Sequence, residues 1–419
     1  MALTYWQLLS QNRNFRNLLA GQTVSEMGNW FNFIAGLGLI RVVSDASPAA
    51  AGILFLCRML PFAVFSPIAG TFVDRFSRRT VMIVSDLVRV GVALLFVFVT
   101  APGDLWIAYV ATSLLSIFGA FFEGAKNAAT PNLTGREGLL AGTALMFSTR
   151  FLLMALGSAL GGWAAAVFGY QVAFVINAAS FLVSAFSVWL IPEEAVREKQ
   201  TAERGDRESF FTELKEGIRY TIGNHFAATI LIMNVIWATG GGAINLVFER
   251  MGGVVFARTQ DWNPDLAVAL MWFASGLGLF AGMMLAHRTS RHLELIKGHR
   301  GFIGWTLIAH GILFAAAGYV ANIWIFAFLA FISRLIIGVE YAVQETLFQH
   351  SLPDHIRGRI STLDRGAELT MFGLSSYLAS LLVYEISPQM LTVISGLLAA
   401  SSGVVWFVRQ KKDAVYLSM

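Results

Sequence analysis

Charge is what this sequence is short of: Asp, Glu, Lys and Arg supply 13% of its 419 residues, against 56% hydrophobic. Soluble chains carry about 25% charged residues, so the shortfall excludes an ordinary set of water-soluble domains. Cysteine is almost absent. Cys57 stands alone inside an apolar run, which excludes an internal disulfide framework and a cysteine metal site. The stretch "MALTYWQLLSQNRNFRNLLAGQ" lacks the basic start, short apolar core and small-residue cleavage site of a signal peptide, so the first apolar span is expected to be mature structure. Catalytic and nucleotide motifs are missing too: there is no H-E-x-x-H, no G-x-x-x-x-G-K and no H-x-x-x-x-D, "HSLPD" having the wrong spacing. No enzyme activity, metal or cofactor is expected, and nor is ATP-driven pumping by this chain alone.

What the sequence has is apolar length. A bilayer core about 30 Å thick needs about 20 apolar residues per helix. Such stretches fall near 17–42, 48–72, 80–100, 105–130, 139–167 and 170–191, and again near 226–248, 265–286, 301–320, 322–348, 359–385 and 388–408. They predict an all-α polytopic membrane protein with twelve transmembrane helices. Arg13, Arg16, Arg75, Arg78, Arg79, Arg136, Arg288, Arg357 and Arg409 fall on one side of the spans, against Arg41, Arg250 and Arg258 on the other. Basic residues stay on the cytoplasmic side of short loops, which puts both termini in the cytoplasm of a cell inner or plasma membrane. The glycosylation-type "NLT" at Asn132 then faces the cytoplasm and reads as chance.

A long hydrophilic stretch, 192–225, divides the chain into an N-terminal bundle (1–191) and a C-terminal bundle (226–419). Phe210, Phe211, Leu214, Ile218 and Tyr220 within it have roughly helical spacing, which predicts an amphipathic helix along the membrane surface. The two halves show traces of duplication. Gly70 with Asp74, Arg75 and Arg78 has a degenerate counterpart in Gly282, Ala286, His287, Arg288 and Arg291, and Glu123 precedes Pro131 as Glu345 precedes Pro353. Two pseudo-symmetric six-helix bundles are expected, with a binding site near the midplane at the repeat interface.

"GTFVDRFSRR", residues 70–79, resembles the signature G-x-x-x-D-R-x-G-R-R of the major facilitator superfamily, with Ser77 where glycine is usual. The order "NFRNLLAGQTVSEMGNW", "LPFAVFSPIAG", "FFEGAKNAATPNL", "INAASFLVSAFSVWLIP" and "LPDHIRGR" is similar to its drug:proton antiporter branch of macrolide and siderophore exporters. "GSALGGW", 157–163, resembles that branch's G-P-x-x-G-G motif, with Ser158 replacing proline. The resemblance implies secondary transport of a small amphiphilic molecule by alternating access, powered by the proton gradient, by a chain acting as a monomer. It also implies a conformational latch of Gly70, Asp74, Arg75, Arg78, Arg79 and Glu123. Asp74, unfavourable at the negative C-terminal end of span two, would face the positive start of span eleven, and Arg78 would link it to Glu123.

Ionisable groups inside spans cost about 2.5–3.5 kcal/mol each, so each asks for a partner or a task. Gln22, Glu26, Asn29 and Phe33 share one face of span one, and burial disfavours a carboxylate's charged form, which makes Glu26 the first proton-coupling candidate. Glu340 and Asp86 are further candidates, although Asp86 has Arg89 three residues on as a structural partner. Arg58, Arg150 and Arg334 either contact substrate with Gln22, Asn29 and Phe33 or neutralise Glu26 and Glu340. His310 reads as packing, and Asp364, Arg365 and Glu368 read as acids and a base at a helix start. One surplus positive charge among the counted groups points to amphiphilic or anionic cargo. Two other readings stay open: lysophospholipid transport on the same fold, and a membrane sensor that no longer transports.

Overall fold

The computed structural model describes residues 4–73, 75–197, 210–296 and 298–410, and every regular element among them is helical. The long helices are α1 (Arg13–Val43), α2 (Pro48–Val73), α3 (Arg78–Leu94), α4 (Pro102–Gly135), α5 (Glu137–Phe168) and α6 (Tyr170–Trp189), followed by α7 (His225–Arg250), α8 (Pro264–Ile296), α9 (His299–Ala317), α10 (Ile323–Ser351), α11 (Asp354–Leu382) and α12 (Pro388–Arg409). Ten of these segments are long and apolar enough to cross a membrane. The other two, α1 and α11, have 31 and 29 residues, enough to span, but carry many of the polar and charged groups described below.

Local chemistry sets the helix ends. Asn12, Asn224, Asn322 and Ser387 accept hydrogen bonds from first-turn amides of α1, α7, α10 and α12. Ser77 caps α3 in the same way, its Oγ accepting from Thr80 N, so the departure from the usual glycine gives that helix a side-chain cap. The joint between α4 and α5 has no loop. Pro131 is carried inside the helix, and the turn falls instead at Gly135, whose φ of 66° suits a residue without Cβ.

Two compact units result, Met1–Asp45 with Pro61–Phe210, and Ala46–Leu60 with Phe211–Met419. The division falls inside the expected linker, and the first half of α2 groups with the second unit. There Gly373 of α11 leaves room for Met59 of α2, the close approach that small residues allow between membrane helices. Inside the first unit α1 packs on α5 and α6, and α3 packs on α6. In the second unit α7 packs on α11 and α12, and α9 on α12. Each half thus repeats the same pairing of its first, third, fifth and sixth helices.

A helix does form in the second part of the linker, Phe210–Gly223. It is tied to the second unit by an ion pair from Arg359 of α11 to Glu216 and by burial of Thr221, while Ile218 and Ile222 stay exposed.

Candidate functional site

In the first unit the polar stripe of α1 meets charged groups from three other helices. Asn29 donates to Glu26 at 3.4 Å, Gln22 is buried with its Oε1 unpartnered, and Phe33 is buried edge-on to Trp30. Glu26 is half-buried and makes no ion pair among the described residues. It lies within electrostatic range of Arg89 of α3, which also feels Glu123 of α4. Arg89 forms an ion pair with Asp86 one turn back, beside Ser184 of α6. The two carboxylates Glu26 and Asp86 are therefore held differently: Asp86 has a cation of its own, and Glu26 has a neutral amide.

Glu123 takes Lys126 as its ion-pair partner, at 2.6 Å, rather than the expected Arg78. Lys126 lies one turn along the same helix and is buried at 3% exposure, so each charge compensates the other where water is scarce. Arg78 instead donates to the carbonyl oxygens of Ala128 (3.0 Å) and Val196 (3.2 Å), and Arg79 to that of Trp189. Asn132 adds donations to the Val196 and Arg197 carbonyls. Carbonyl groups at helix C-terminal ends are electron-rich and attract such donors, so the arginines fasten the end of α6 and the start of the linker to α3 and α4. Arg75 is exposed and Gly70 has open space around it, whereas Asp74 lies outside the described residues.

Between α1, α4 and α5 lies a cavity of about 300 Å³, lined by Gln22, Glu123, Lys126, Asn127, Thr130, Pro131, Leu139, Thr143, Met146, Phe147 and Arg150. Arg150 is exposed and in electrostatic range of Glu123. An apolar wall with a few convergent charges is the usual make-up of a small-molecule site. The Gly157 and Gly161 pair of "GSALGGW" lets α5 approach α1 closely at Trp30 and Phe31.

The second unit holds the other predicted residues apart from one another. Arg58 is half-buried on the stretch of α2 that belongs to this unit. Arg334 is buried with its guanidinium 6.0 Å above the Phe248 ring and its Nε without a partner among the described residues. Glu340, at 1% exposure, has an unpartnered Oε1 and no ion pair among the described residues. Six residues apart on one helix, these two point in different directions, so Arg334 does not neutralise Glu340. His310 packs as expected, its Nδ1 beside the Ser333 hydroxyl at 2.7 Å.

A group treated as a helix start turns out to be internal. Asp364 and Glu368 are buried at 7% and 4%, and Asp364 joins Asn234 of α7 and Gln344 of α10 in a chain of hydrogen bonds. Counting Glu123 with Lys126, and these acids with Arg365, brings the carboxylates level with the cations, so the surplus positive charge disappears. The signal was available: the three-residue spacing of Asp86 and Arg89 recurs in Glu123 and Lys126 and in Arg365 and Glu368, and all three pairs form.

A family model described as Major Facilitator Superfamily matches residues 18–299. The chain is 25% identical over 407 residues to the uncharacterized MFS-type transporter YfiS of Bacillus subtilis (strain 168), covering 96% of this chain and 95% of that one. It is 24% identical to macrolide efflux protein A of Streptococcus pyogenes, over 93% and 94%, and 22% identical to the putative bacilysin exporter BacE of Bacillus subtilis (strain 168), over 91% of each. Among solved structures, a bacterial homologue of the iron transporter ferroportin in an inward-facing state matches with a TM-score of 0.70 at 16% identity, over 96% of this chain and 99% of that one, a likeness of fold. The chain belongs to the Major Facilitator Superfamily and is a membrane transporter of a small-molecule substrate.

Proposed function

We propose that this transporter exports a small amphiphilic compound in exchange for protons, by alternating access, as a monomer with both termini in the cytoplasm. The observation that carries the reading is the cavity of about 300 Å³ in the first unit, where Leu139, Met146 and Phe147 offer an apolar wall and Lys126, Glu123 and Arg150 a polar edge. That lining suits a cargo with one greasy face and one hydrogen-bonding face. Two relatives bear the names of exporters, of macrolides and of bacilysin.

Glu26 is the proposed coupling carboxylate. It is half-buried, it lacks an ion pair among the described residues, and its nearest named partner is the neutral amide of Asn29. Asp74, with Arg75, Arg78 and Arg79, is proposed as a latch at the cytoplasmic end. Asp74→Asn is then expected to raise labelling of a cysteine placed at Thr143, in a Cys57→Ser background, by a reagent added from the cytoplasmic side. Unchanged labelling would count against the latch.

Export is tested by accumulation of radiolabelled erythromycin, a siderophore and a lysophospholipid in cells with and without the chain. Lower accumulation of at least one of them, restored by a protonophore, supports the reading. Equal accumulation of all three, or a difference that survives the protonophore, contradicts it.

A further inference from the structure

The second unit contains a carboxylate whose surroundings can hydrogen-bond to either of its protonation states. Asp364 sits ten residues into α11, about 15 Å from its start at 1.5 Å per residue, and is 93% buried by its exposure of 7%. Its Oδ2 accepts from Asn234 Nδ2 at 2.9 Å, and its Oδ1 has no hydrogen-bond partner among the described residues. Asn234 in turn accepts, through Oδ1, from Gln344 Nε2 at 3.0 Å. Asn234 and Gln344 are 7% and 2% exposed, so water does not readily replace either contact.

The charges around Asp364 leave it without a cation of its own. On its own helix, Glu368 lies one turn along and takes Arg365 at 2.7 Å, while Arg365 also donates to the hydroxyl of Tyr341 of α10 at 3.2 Å. From α10, Glu345 adds negative charge and is itself bound by Gln349. On α7 the partner is the neutral Asn234. Three carboxylates thus face one guanidinium, and that guanidinium is committed to Glu368. Burying a carboxylate without a paired charge costs several kcal/mol. A bound proton removes that cost at Asp364.

We infer that Asp364 is a second proton-binding site of this transporter, with Asn234 and Gln344 as a reorienting amide relay. As the structure stands, the amide N–H of Asn234 points at the Asp364 carboxyl, an arrangement that suits its charged form. When Asp364 takes up a proton, half a turn of both amides reverses every donor and acceptor. The Asp364 O–H then donates to Asn234 Oδ1, and Asn234 Nδ2 donates to Gln344 Oε1. Neither state leaves a broken contact in the chain, and each change of protonation is passed from α11 through α7 to α10.

The inference draws on the export reading for the use of the proton and not for its binding, so the test involves no cargo. The full-chain protein in lipid is titrated by infrared difference spectroscopy, following the C=O stretch of protonated carboxyl groups and its shift on deuteration. A titrating band is expected in the wild type, lost in Asp364→Asn and kept in Glu368→Gln. In Asn234→Leu the band should persist with its midpoint moved to higher pH, since the bond Asn234 donates to the charged carboxylate is stronger than the one it accepts from the neutral acid. A band unchanged in Asp364→Asn, or an unmoved midpoint in Asn234→Leu should Asp364→Asn fail to fold, overturns the assignment. So does a midpoint that moves when sodium replaces potassium, which would identify a metal-ion site.

Discussion

Arg89 shows most plainly how one residue is made tolerable inside this membrane protein. Its guanidinium pairs with Asp86 and lies between the rings of Phe122 and Phe181, 4.7 and 4.4 Å from their centroids. The flat cation gains from both ring faces and from the carboxylate at once. Arg89→Leu leaves Asp86 buried and uncompensated, and should cost about 3–5 kcal/mol, read as a lower unfolding midpoint in detergent. The double change Asp86→Leu with Arg89→Leu should recover most of that loss. Equal midpoints for the single and double variants would contradict a compensating pair. The Asp86 and Arg89 pair is legible in the sequence from its three-residue spacing. Lys126 went unread and Glu368 read as part of a helix start, because burial depends on neighbouring helices that no local pattern reveals.

Among elements, α5 depends on small residues for its contact with α1. A Cβ on Gly161 would lie 2.9 Å from the Cα of Phe31, too close for backbone to yield cheaply. Gly161→Leu should therefore lose about 1–3 kcal/mol through overpacking. Gly119→Ala, where nothing stands within 4 Å, should be neutral or stabilise by up to about 1 kcal/mol. Thermal unfolding of the two variants in detergent checks both, and equal loss would remove the packing account. Gly135 makes a different demand. Its φ of 66° is a conformation that side chains with Cβ resist, so Gly135→Ala should cost about 1–3 kcal/mol. Helix number and order were readable from apolar length alone, but the form of the α4–α5 joint was not: the apolar stretches stop near 130 and resume near 139, whereas helix continues through Pro131 and turns only at Gly135.

For the whole molecule, the positive-inside asymmetry predicts that a green fluorescent protein fused to the C-terminus fluoresces and an alkaline phosphatase fused there is inactive. The reverse pattern would invert the proposed direction of export. The repeat inferred from Gly70 to Arg78 and from Glu123 to Pro131 reappears as matching helix pairings within each unit, although the two units bury different chemistry. The first has a cavity with Gln22, bases and an apolar wall; the second holds Glu340, Arg334 and the Asp364 chain within packed helices. Sequence could show that the halves are related. It could not show which of these charges are buried or bonded to another helix, as Asp364 is to Asn234, because such contacts join helices far apart in the chain.

A proton bound at Glu26 is proposed to drive cargo movement, and proteoliposomes loaded with whichever of erythromycin, the siderophore or the lysophospholipid the cells export put this to the test. An imposed pH gradient should accelerate flux of that compound at least tenfold in the wild type and have no effect in Glu26→Gln, while exchange without a gradient persists in both. Flux in Glu26→Gln that still follows the gradient as the wild type does would contradict the account.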